Sequence, residues 1–514
     1  MMNFSKNSRF LWVLLFMAVA LFISGCDGNT NDGPGEDVIG TGDALPGLSS
    51  QVPGDVSATA STADLSVFAW QEFVALNWKA QPGARFMPDG ASFADMGNNP
   101  DTTVWMTYAH RTEYLTTDNN LGPIGITPVY SYKNPPQAGD SVSGNTYMLY
   151  NNLDEDNEIG SCYLFKDGTD EVQYQAKVNL VEYNYARTFG TQTAMHDAKK
   201  ATGTQVRDSA NYWVGQANDV ASCHQNVPAA DTATTLCFPC GTMNGSEGAI
   251  EIKTAWRKLS QAEQNDSAFL ATIIHSPAIY YTSAANPADD GTHAMETEGT
   301  YYQEGMFGLI GMHIIHKTEN YPSFVFATFE HVTDRTDDYQ YINLSSNASL
   351  DTPGGVSLKD VVPFGILSVT DSVTTAYHNF IKASNPNSVL LNYKLTGVQG
   401  RPTSDSTSDN YYLANYVIES DYALARFPQS NDINPGSKTF EGQLYNTVEG
   451  GMRLNMGGCQ GCHGFGAQLN GADFSFVTIP TGSATGQGFN EPDILQSLKQ
   501  AQAAAQAAHD MGDE

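Results

Sequence analysis

The alternation of apolar and polar positions predicts a chain of mixed secondary structure. Behind a Ser/Thr helix cap, apolar side chains recur at helical spacing over 62–78. The strongest strand signals lie in the middle of the chain, where β-branched and aromatic runs are separated by short polar turns. The predicted strands are 104–108, 128–132, 146–150, 249–253, 299–303, 307–316, 323–332 and 389–394. The other predicted helices are 180–200 (broken at Gly190), 261–264, 410–427, 440–454 and 491–509.

These elements predict an α+β fold, with a mixed, strand-rich central body, peripheral helices and a short helical C-terminal segment. Residues 26–62 are rich in small and polar residues, contain no Lys or Arg and lack periodic apolar spacing, which predicts a flexible acidic tether. The body is then expected over 63–435 and the C-terminal segment over 436–514.

The N-terminus has the pattern of an export signal. Lys6 and Arg9 precede an apolar run over 10–23 that is too short for a comfortable membrane span, and Ser24-Gly25-Cys26 follows. We therefore predict a signal peptide over 1–25. Residues 23–26 also resemble a bacterial lipobox, which would make Cys26 a lipid-modified first residue and anchor the protein at the inner or outer membrane. An ordinary signal peptide cleaved near the same place is the alternative.

The charge balance limits the classes of partner. The chain has 56 acidic and 25 basic residues, for a formal net charge of −31. Such a surface repels nucleic acid and anionic membrane surfaces, and it favours a basic partner protein. An acidic surface that only keeps the protein soluble is an equally good interpretation. The 41% hydrophobic content is enough for a substantial core.

A chemical motif lies near the C-terminus, in the sequence Cys459-Gln460-Gly461-Cys462-His463. Cys-x-x-Cys-His is the attachment pattern of a c-type haem, in which two thiols bind the vinyl groups and the adjacent imidazole binds the iron. A simple disulfide or half of a zinc site would use the same cysteines. Zinc would need two further ligands at matching spacing, and a redox dithiol would not need His463.

The other cysteines suggest disulfides. With Cys26 assigned to lipid and two cysteines to haem, Cys162, Cys223, Cys237 and Cys240 remain. Four cysteines in an exported protein predict two disulfides, with the connectivity open. Cys237 and Cys240 have the spacing of a redox motif, but no strand leading into a helix surrounds them.

Several strings together resemble a family of large exported bacterial proteins with a single C-terminal haem motif, called cytochrome c family proteins. They are residues 68–78, 250–256, 308–315, 326–332, 459–464 and 473–476. The resemblance covers most of 63–480, and it implies one covalent haem with Cys459 and Cys462 as thioether residues and His463 as proximal ligand. It implies no particular reaction, since only the motif carries an assigned role.

The ligand on the other side of the iron is open. The segment after His463 offers only His509 and Met511, and Met452 and Met456 precede the motif too closely. The candidates in the body are Met312, His313, His316, His331 and His275. Alternation along a strand places Met312 and His316 on one face and His313 on the other. An iron with no sixth protein ligand is a further alternative.

The leading functional expectation is one-electron transfer by an extracytoplasmic, membrane-tethered protein, with a redox partner that charge complementarity expects to be basic and with no nucleic acid. The alternatives are a haem enzyme, peroxidase-like or acting on a small substrate, and a haem-based sensor or binding module. The acidic run 154–158 could bind calcium, but it lacks the glycine of an EF-hand loop, so a solvated loop is the simpler interpretation.

Overall fold

A computed structural model defines most of the body. It describes residues 45, 47–114, 120–125, 141–142, 145–146, 151–153, 162–166, 170–208, 235–282, 301–334, 339–343, 356–357, 368–401, 413–415, 417–418, 458–468 and 471–478. All of them belong to the compact unit Val38–Glu514, which separates from Met1–Asp37. The predicted signal peptide and Cys26 lie outside the described residues.

The described elements are helices at the periphery and strands in the centre. The helices are α1 Thr62–Leu76, α2 Arg111–Tyr114, α3 Leu180–Arg187, α4 Gln192–Asp208, α5 Gln261–Gln264, α6 Ser267–Leu270, α7 Ser368–Ser384 and α8 Gly458–Gly466, with 3-10 turns at Trp105–Thr107 and Val389–Asn392. Strands β1 to β7 are Ala109–His110, Ser141–Val142, Asn145–Thr146, Asn152–Leu153, Cys162–Lys166, Asp170–Glu171 and Gln173–Val178. Strands β8 to β14 are Ile250–Lys258, His275–Thr282, Tyr301–His316, Val325–His331, Tyr339–Asn343, Val356–Ser357 and Tyr393–Gln399.

One large sheet organises the body. Its main path runs β1-β7-β8-β10-β11-β14 with antiparallel neighbours, and β9 pairs with both β10 and, in parallel, β4. A smaller sheet has the order β13-β12-β5-β6, and β2 and β3 form a hairpin. The predicted α+β class with a strand-rich centre is therefore confirmed.

The long strand β10 has two different faces. Met312 and Ile314 belong to the apolar core that also contains α1, whereas Ile315 belongs to a second core together with Phe326 and Phe474. Successive side chains of a strand point to opposite faces, so the sheet separates the two cores. We call these the α1 face and the motif face.

Helix α1 covers the α1 face and begins as its sequence predicts. Ser61 accepts a hydrogen bond from Asp64 N, and Asp64 closes a capping box on the Ser61 backbone. Trp70 is fully buried and packs edge-on against Phe329 at 5.2 Å. Burial of an aromatic side chain of this kind contributes roughly 2–3 kcal/mol. His316 of β10 contacts Glu72 of α1 through Nδ1 at 2.5 Å.

The segment before α1 packs on the body, so the predicted tether over 26–62 ends too late. Val52 and Val56 pack against the core of the α1 face. Asn320 Nδ2 donates to Asp55 Oδ2 at 2.9 Å, and the Tyr321 hydroxyl donates to the Ser57 carbonyl at 2.8 Å. The apolar and hydrogen-bonding side chains of this segment are scattered without a period, which is why its sequence indicates a tether.

Other predicted elements differ locally. Residues 105–107 form a 3-10 turn rather than a strand, because the Val104 N–H bonds to Trp78 in a loop. The two strands expected over 299–316 are one, and 389–392 is a 3-10 turn before β14. Of the helix expected over 410–427, the described residues 413–415 and 417–418 are not helical. The helices expected over 440–454 and 491–509 lie outside the described residues, as does the strand over 128–132.

Candidate functional site

Helix α8 carries the Cys-x-x-Cys-His motif and is pinned to the sheet by the residue between its cysteines. The backbone N–H of Gln460 donates to Gln399 Oε1 at 2.9 Å. The side-chain amide of Gln460 donates to the Phe324 carbonyl at 2.6 Å and to the Ser323 carbonyl at 3.2 Å. These bonds join α8 to β14 and to the start of β11, so the motif lies on the motif face of the sheet.

The two motif cysteines follow each other on α8. Cys459 is half-buried, packs against the second core and has its Sγ 3.9 Å from the Leu413 carbonyl oxygen. It is present as a thiol. Cys462 belongs to the same helix, three residues further on. A spacing of three residues on a helix places the two Cα atoms on one side, as attachment to a single flat group requires.

His463 is held in one orientation. Its Nδ1–H donates to the Phe474 carbonyl at 2.7 Å, and its ring contacts Phe326 and Phe476 edge-on, each with a centroid distance of 4.7 Å. Burial and, to a smaller extent, the Lys253 cation lower the pKa of His463 to about 4, although the hydrogen bond to Phe474 opposes this shift. The ring is therefore neutral at pH 7, and because a carbonyl can only accept, the proton sits on Nδ1. This leaves the Nε2 lone pair for a metal.

A strained turn supplies the carbonyl that orients His463. Asp473 and Phe474 have φ values of 52° and 63°, which residues other than glycine rarely adopt. The Asp473 carboxylate accepts from the Phe238 N–H at 2.7 Å and forms a fully buried ion pair with Lys317. These contacts hold the turn in a conformation that costs about 1–3 kcal/mol per strained residue.

Two buried carboxyl groups lie beside this turn. Burial raises the pKa of Glu251 to about 8, which a hydrogen bond to Ser475 opposes and the Asp473 charge reinforces. Burial, and then the Glu251 and Asp473 charges, raise the pKa of Glu182 well above its usual range. Burial therefore favours the protonated form of both carboxyl groups.

Of the candidate sixth ligands, His313 is the one that the structure brings to the motif. It lies on the motif face of β10, opposite Lys253 of β8 and Thr328 of β11. Burial, together with the His463 imidazole and Lys253, lowers the pKa of His313 to about 3.

The other candidates in the body are used elsewhere. Met312 is fully buried in the core on the α1 face, and His316 is bonded to Glu72 and to the Glu247 carbonyl. His331 is bonded through both ring nitrogens, to Thr333 Oγ1 and the Thr272 carbonyl, each at 2.9 Å. His275 contacts Asn99 and the Ile273 carbonyl. The alternation predicted for 312, 313 and 316 is therefore confirmed.

A short segment covers the sheet next to the motif. A Cβ on Gly397 would lie 2.2 Å from Leu413, and one on Gly311 would lie 2.7 Å from Val417. Asn415 Nδ2 donates to Thr328 Oγ1 at 2.8 Å. Small residues on the sheet therefore admit this covering segment, and Leu413 in turn contacts Cys459.

The remaining predicted cysteines are only partly placed. Cys237 is disulfide-bonded, and Cys240 is present as a thiol, so these two are not joined to each other. Cys162 begins β5, and Cys223 lies outside the described residues. Since Cys240 is present as a thiol, these four cysteines do not form the two disulfides expected of them. The acidic run 154–158 and the positions of Met452, Met456, His509 and Met511 also lie outside the described residues.

His463 gives the motif one oriented nitrogen donor. Within the described ranges, no three His, Cys, Asp or Glu side chains form a group that could hold a metal ion. An iron already held by porphyrin nitrogens would need only further ligands from the protein, and His463 could be one of them.

Among the described residues, no helix is long and apolar enough to cross a membrane.

Several residues that build this site carry no functional signal of their own in the sequence. They include Phe474, Asp473, Lys317 and Gln460. Lys317 is 156 residues before Asp473, and it meets Asp473 only in the folded chain. The short string 473–476 directly after the motif is the available signal, because two aromatic residues flank a serine there.

Comparison with known proteins gives no relative: the chain matches no protein-family model, no curated protein and no solved structure.

Proposed function

We propose that the protein is a monohaem c-type cytochrome that transfers single electrons outside the cytoplasm. Cys459 and Cys462 would form the thioether bonds, and His463 would bind the iron. The bound haem would supply a centre that alternates between ferric and ferrous iron. The observation that supports the proposal is the bond from His463 Nδ1 to the Phe474 carbonyl, because it leaves Nε2 of the motif histidine as the nitrogen that could bind a metal.

The chain's own residues would fix and shield this ligand. Gln460 holds α8 on the sheet, and Phe326 and Phe476 contact the His463 ring on its edges. An imidazole fixed in this way keeps one orientation in both oxidation states, so little reorganisation accompanies electron transfer. The lowered pKa of His463 keeps the ring in the neutral form that binds metal.

Partial exposure of the motif supports exchange with a partner protein. Cys459 and His463 are half-buried rather than fully enclosed. An electron carrier needs its cofactor near the surface, since its partner must come close without entering the fold. The net charge of −31 supports a partner with a basic docking surface, for which association slows as salt screens the attraction.

Covalent haem content tests the proposal directly. The protein is produced with signal peptide and haem-attachment machinery, and its mass and pyridine haemochrome spectrum are recorded. We expect one covalent haem, lost in Cys459→Ala combined with Cys462→Ala and kept in Cys240→Ala, which removes a thiol outside the motif. A reversible one-electron titration would follow. Mature protein without covalent haem would overturn the proposal.

We further propose that Cys26 carries a lipid that holds the protein at a membrane. The lipobox-like residues 23–26 support this proposal. Labelling with a radioactive fatty acid should mark the wild type and not Cys26→Ala, and the variant should leave the membrane fraction. A wild-type protein that takes up no label would overturn lipid anchoring and leave the haem proposal intact.

A further inference from the structure

The position of His313 on the sheet relates it directly to the motif histidine. On the motif face, Phe326 lies opposite Ile315 and Thr328 lies opposite His313 in the β10–β11 register. His313 is thus the diagonal neighbour of Phe326, a separation of roughly 7–8 Å between the residues and within reach of long side chains. Phe326 contacts the His463 ring at 4.7 Å. Phe326 therefore contacts His463 and is the diagonal neighbour of His313 on the same face of the sheet.

The surroundings of His313 are built around small residues. Its neighbours on the motif face include Gly311 along the same strand, Thr328 across β11, and Gly397 beyond it on β14. In the covering segment, described over 413–415 and 417–418, Leu413 packs over Gly397 and Val417 over Gly311, while Asn415 binds Thr328. Leu413 of this segment contacts Cys459 of the motif. Thus the motif and the covering segment meet over the part of the sheet that carries His313.

We propose that His313 would hold the haem iron together with His463. This inference rests on the proposed function, because it concerns the iron of the same haem. Of the histidines and methionines in the body considered as ligands, His313 alone lies on the motif face near His463, whereas Met312 and His316 lie on the α1 face. His331 uses both ring nitrogens in hydrogen bonds.

Ligation by His313 decides what the iron can do. Two imidazoles give a six-coordinate, low-spin iron with no position for peroxide, oxygen or a small substrate. The site would then exchange electrons through the haem edge and perform no chemistry at the metal. A ligand from a rigid central strand also stays in place in both oxidation states, which suits an electron carrier.

Spectroscopy of the haem-loaded protein tests this ligand. Covalent haem is first confirmed by mass in every sample. For the wild type we expect low-spin ferric iron, with the electron paramagnetic resonance and near-infrared circular dichroism of two imidazoles, and a ferrous spectrum unchanged by carbon monoxide. For His313→Ala we expect high-spin ferric iron and carbon monoxide binding, and added imidazole should restore the low-spin spectrum.

Two further variants make the test decisive. His196→Ala removes an exposed histidine from α4 and should keep the wild-type spectrum. His313→Met should keep six ligands, replace nitrogen by sulfur and raise the reduction potential. If His313→Ala does not accumulate, the wild-type near-infrared spectrum still decides between two imidazoles and any other pair.

The failures of the two proposals are distinguishable. A wild type with covalent haem that is high-spin or binds carbon monoxide would overturn ligation by His313 and leave the haem proposal standing. Ligation by His313 would also be excluded if folded His313→Ala kept the wild-type low-spin spectrum. A wild type whose mass contains no haem would overturn the proposed function and this inference with it.

Discussion

The His463 imidazole and the Phe474 carbonyl are joined by a hydrogen bond of 2.7 Å, although Phe474 reaches this position only with a φ of 63°. The residue before it, Asp473, has a φ of 52° and is tied down by Lys317 and by the Phe238 N–H. The orientation of the motif histidine therefore depends on a buried ion pair between Asp473 and a residue far away in the sequence, Lys317.

Breaking that ion pair should destabilise the whole fold. Asp473→Asn keeps a residue that tolerates positive φ and can still accept from Phe238, but it leaves the Lys317 ammonium facing a neutral amide in a buried site. We expect a loss of about 3–5 kcal/mol in the free energy of unfolding, measured by urea denaturation. The double variant Asp473→Asn with Lys317→Gln should recover much of it. A single variant as stable as the wild type would show that the pair does not hold the turn.

Replacing Glu251 by glutamine should make stability less dependent on pH in the neutral range. The folded-state pKa of Glu251 is about 8, mainly through burial, against an ordinary value of 4.5. Because the folded state holds the Glu251 proton more tightly than the unfolded state does, the pH affects the free energy of unfolding. The contribution of Glu251 to that free energy is fully present below about pH 4.5 and is lost as the pH rises towards 8. Glu251→Gln should therefore gain stability over the wild type at about pH 8 and differ little at about pH 5.

Paired denaturation curves at these two pH values measure that difference. Gln261→Glu, at an exposed position of α5, is a control that adds a carboxyl at the surface and should show no such trend. Equal pH dependence in wild type and Glu251→Gln would contradict the raised pKa.

Glu263 should contribute in the opposite sense, at acid pH. Burial alone would raise its pKa, but hydrogen bonds from Arg257 and Ser260 bring it down to about 2. The stabilisation is present above the unfolded value of 4.5 and is lost as the pH falls towards 2. Because solvent screens this partly exposed carboxylate, Glu263→Gln should cost only about 1 kcal/mol at about pH 6, and the difference from wild type should shrink by about pH 3. Urea unfolding at both pH values checks it, and a constant difference would argue against the pair.

The segment before α1 should detach when a close backbone approach is blocked. A Cβ on Gly241 would lie 1.9 Å from the Gly54 carbonyl oxygen, and backbone cannot move aside as a side chain can. We expect Gly241→Ala to cost about 1–3 kcal/mol and to expose residues 47–61 to limited proteolysis. Gly90→Ala, where no atom lies within 4 Å of the added carbon, should change neither. Equal protection of the segment in both variants would contradict this packing.

Local patterns predict the elements whose burial follows a simple period. Helix α1 has a capping box in its sequence, and β10 and β11 have dense β-branched and aromatic runs, so their predicted bounds lie close to the observed ones. Helix α7 is absent from the predicted elements although Val373, Tyr377 and Ile381 repeat every four residues and are all buried. The β-branched residues of its first two turns, Val369, Thr370, Thr374 and Thr375, weaken helix propensity, and packing against α1 overrides it.

The site is only half predictable, for a related reason. The motif residues are contiguous, so their spacing alone indicates haem, whereas Asp473 and Lys317 meet only through the fold. The opposite faces of Met312 and His313 follow from strand alternation. Strand alternation does not tell which of the two faces carries the motif. That depends on the hydrogen bonds of Gln460 to Gln399 and to Phe324, the residue before β11. Likewise, the apolar spacing of 410–427 predicts a helix. In the structure, Leu413 and Val417 instead pack against Gly397 and Gly311 of the sheet.

Strand β10 places the Glu72–His316 contact on one side and His313 on the other. One layer of backbone thus acts as a partition between two environments, each with its own histidine. Substitutions at positions 313 and 315 therefore act on the core of the motif face and leave the aromatic interior beneath α1 in place. For protein engineering, the two faces of the sheet are therefore separate targets for substitution.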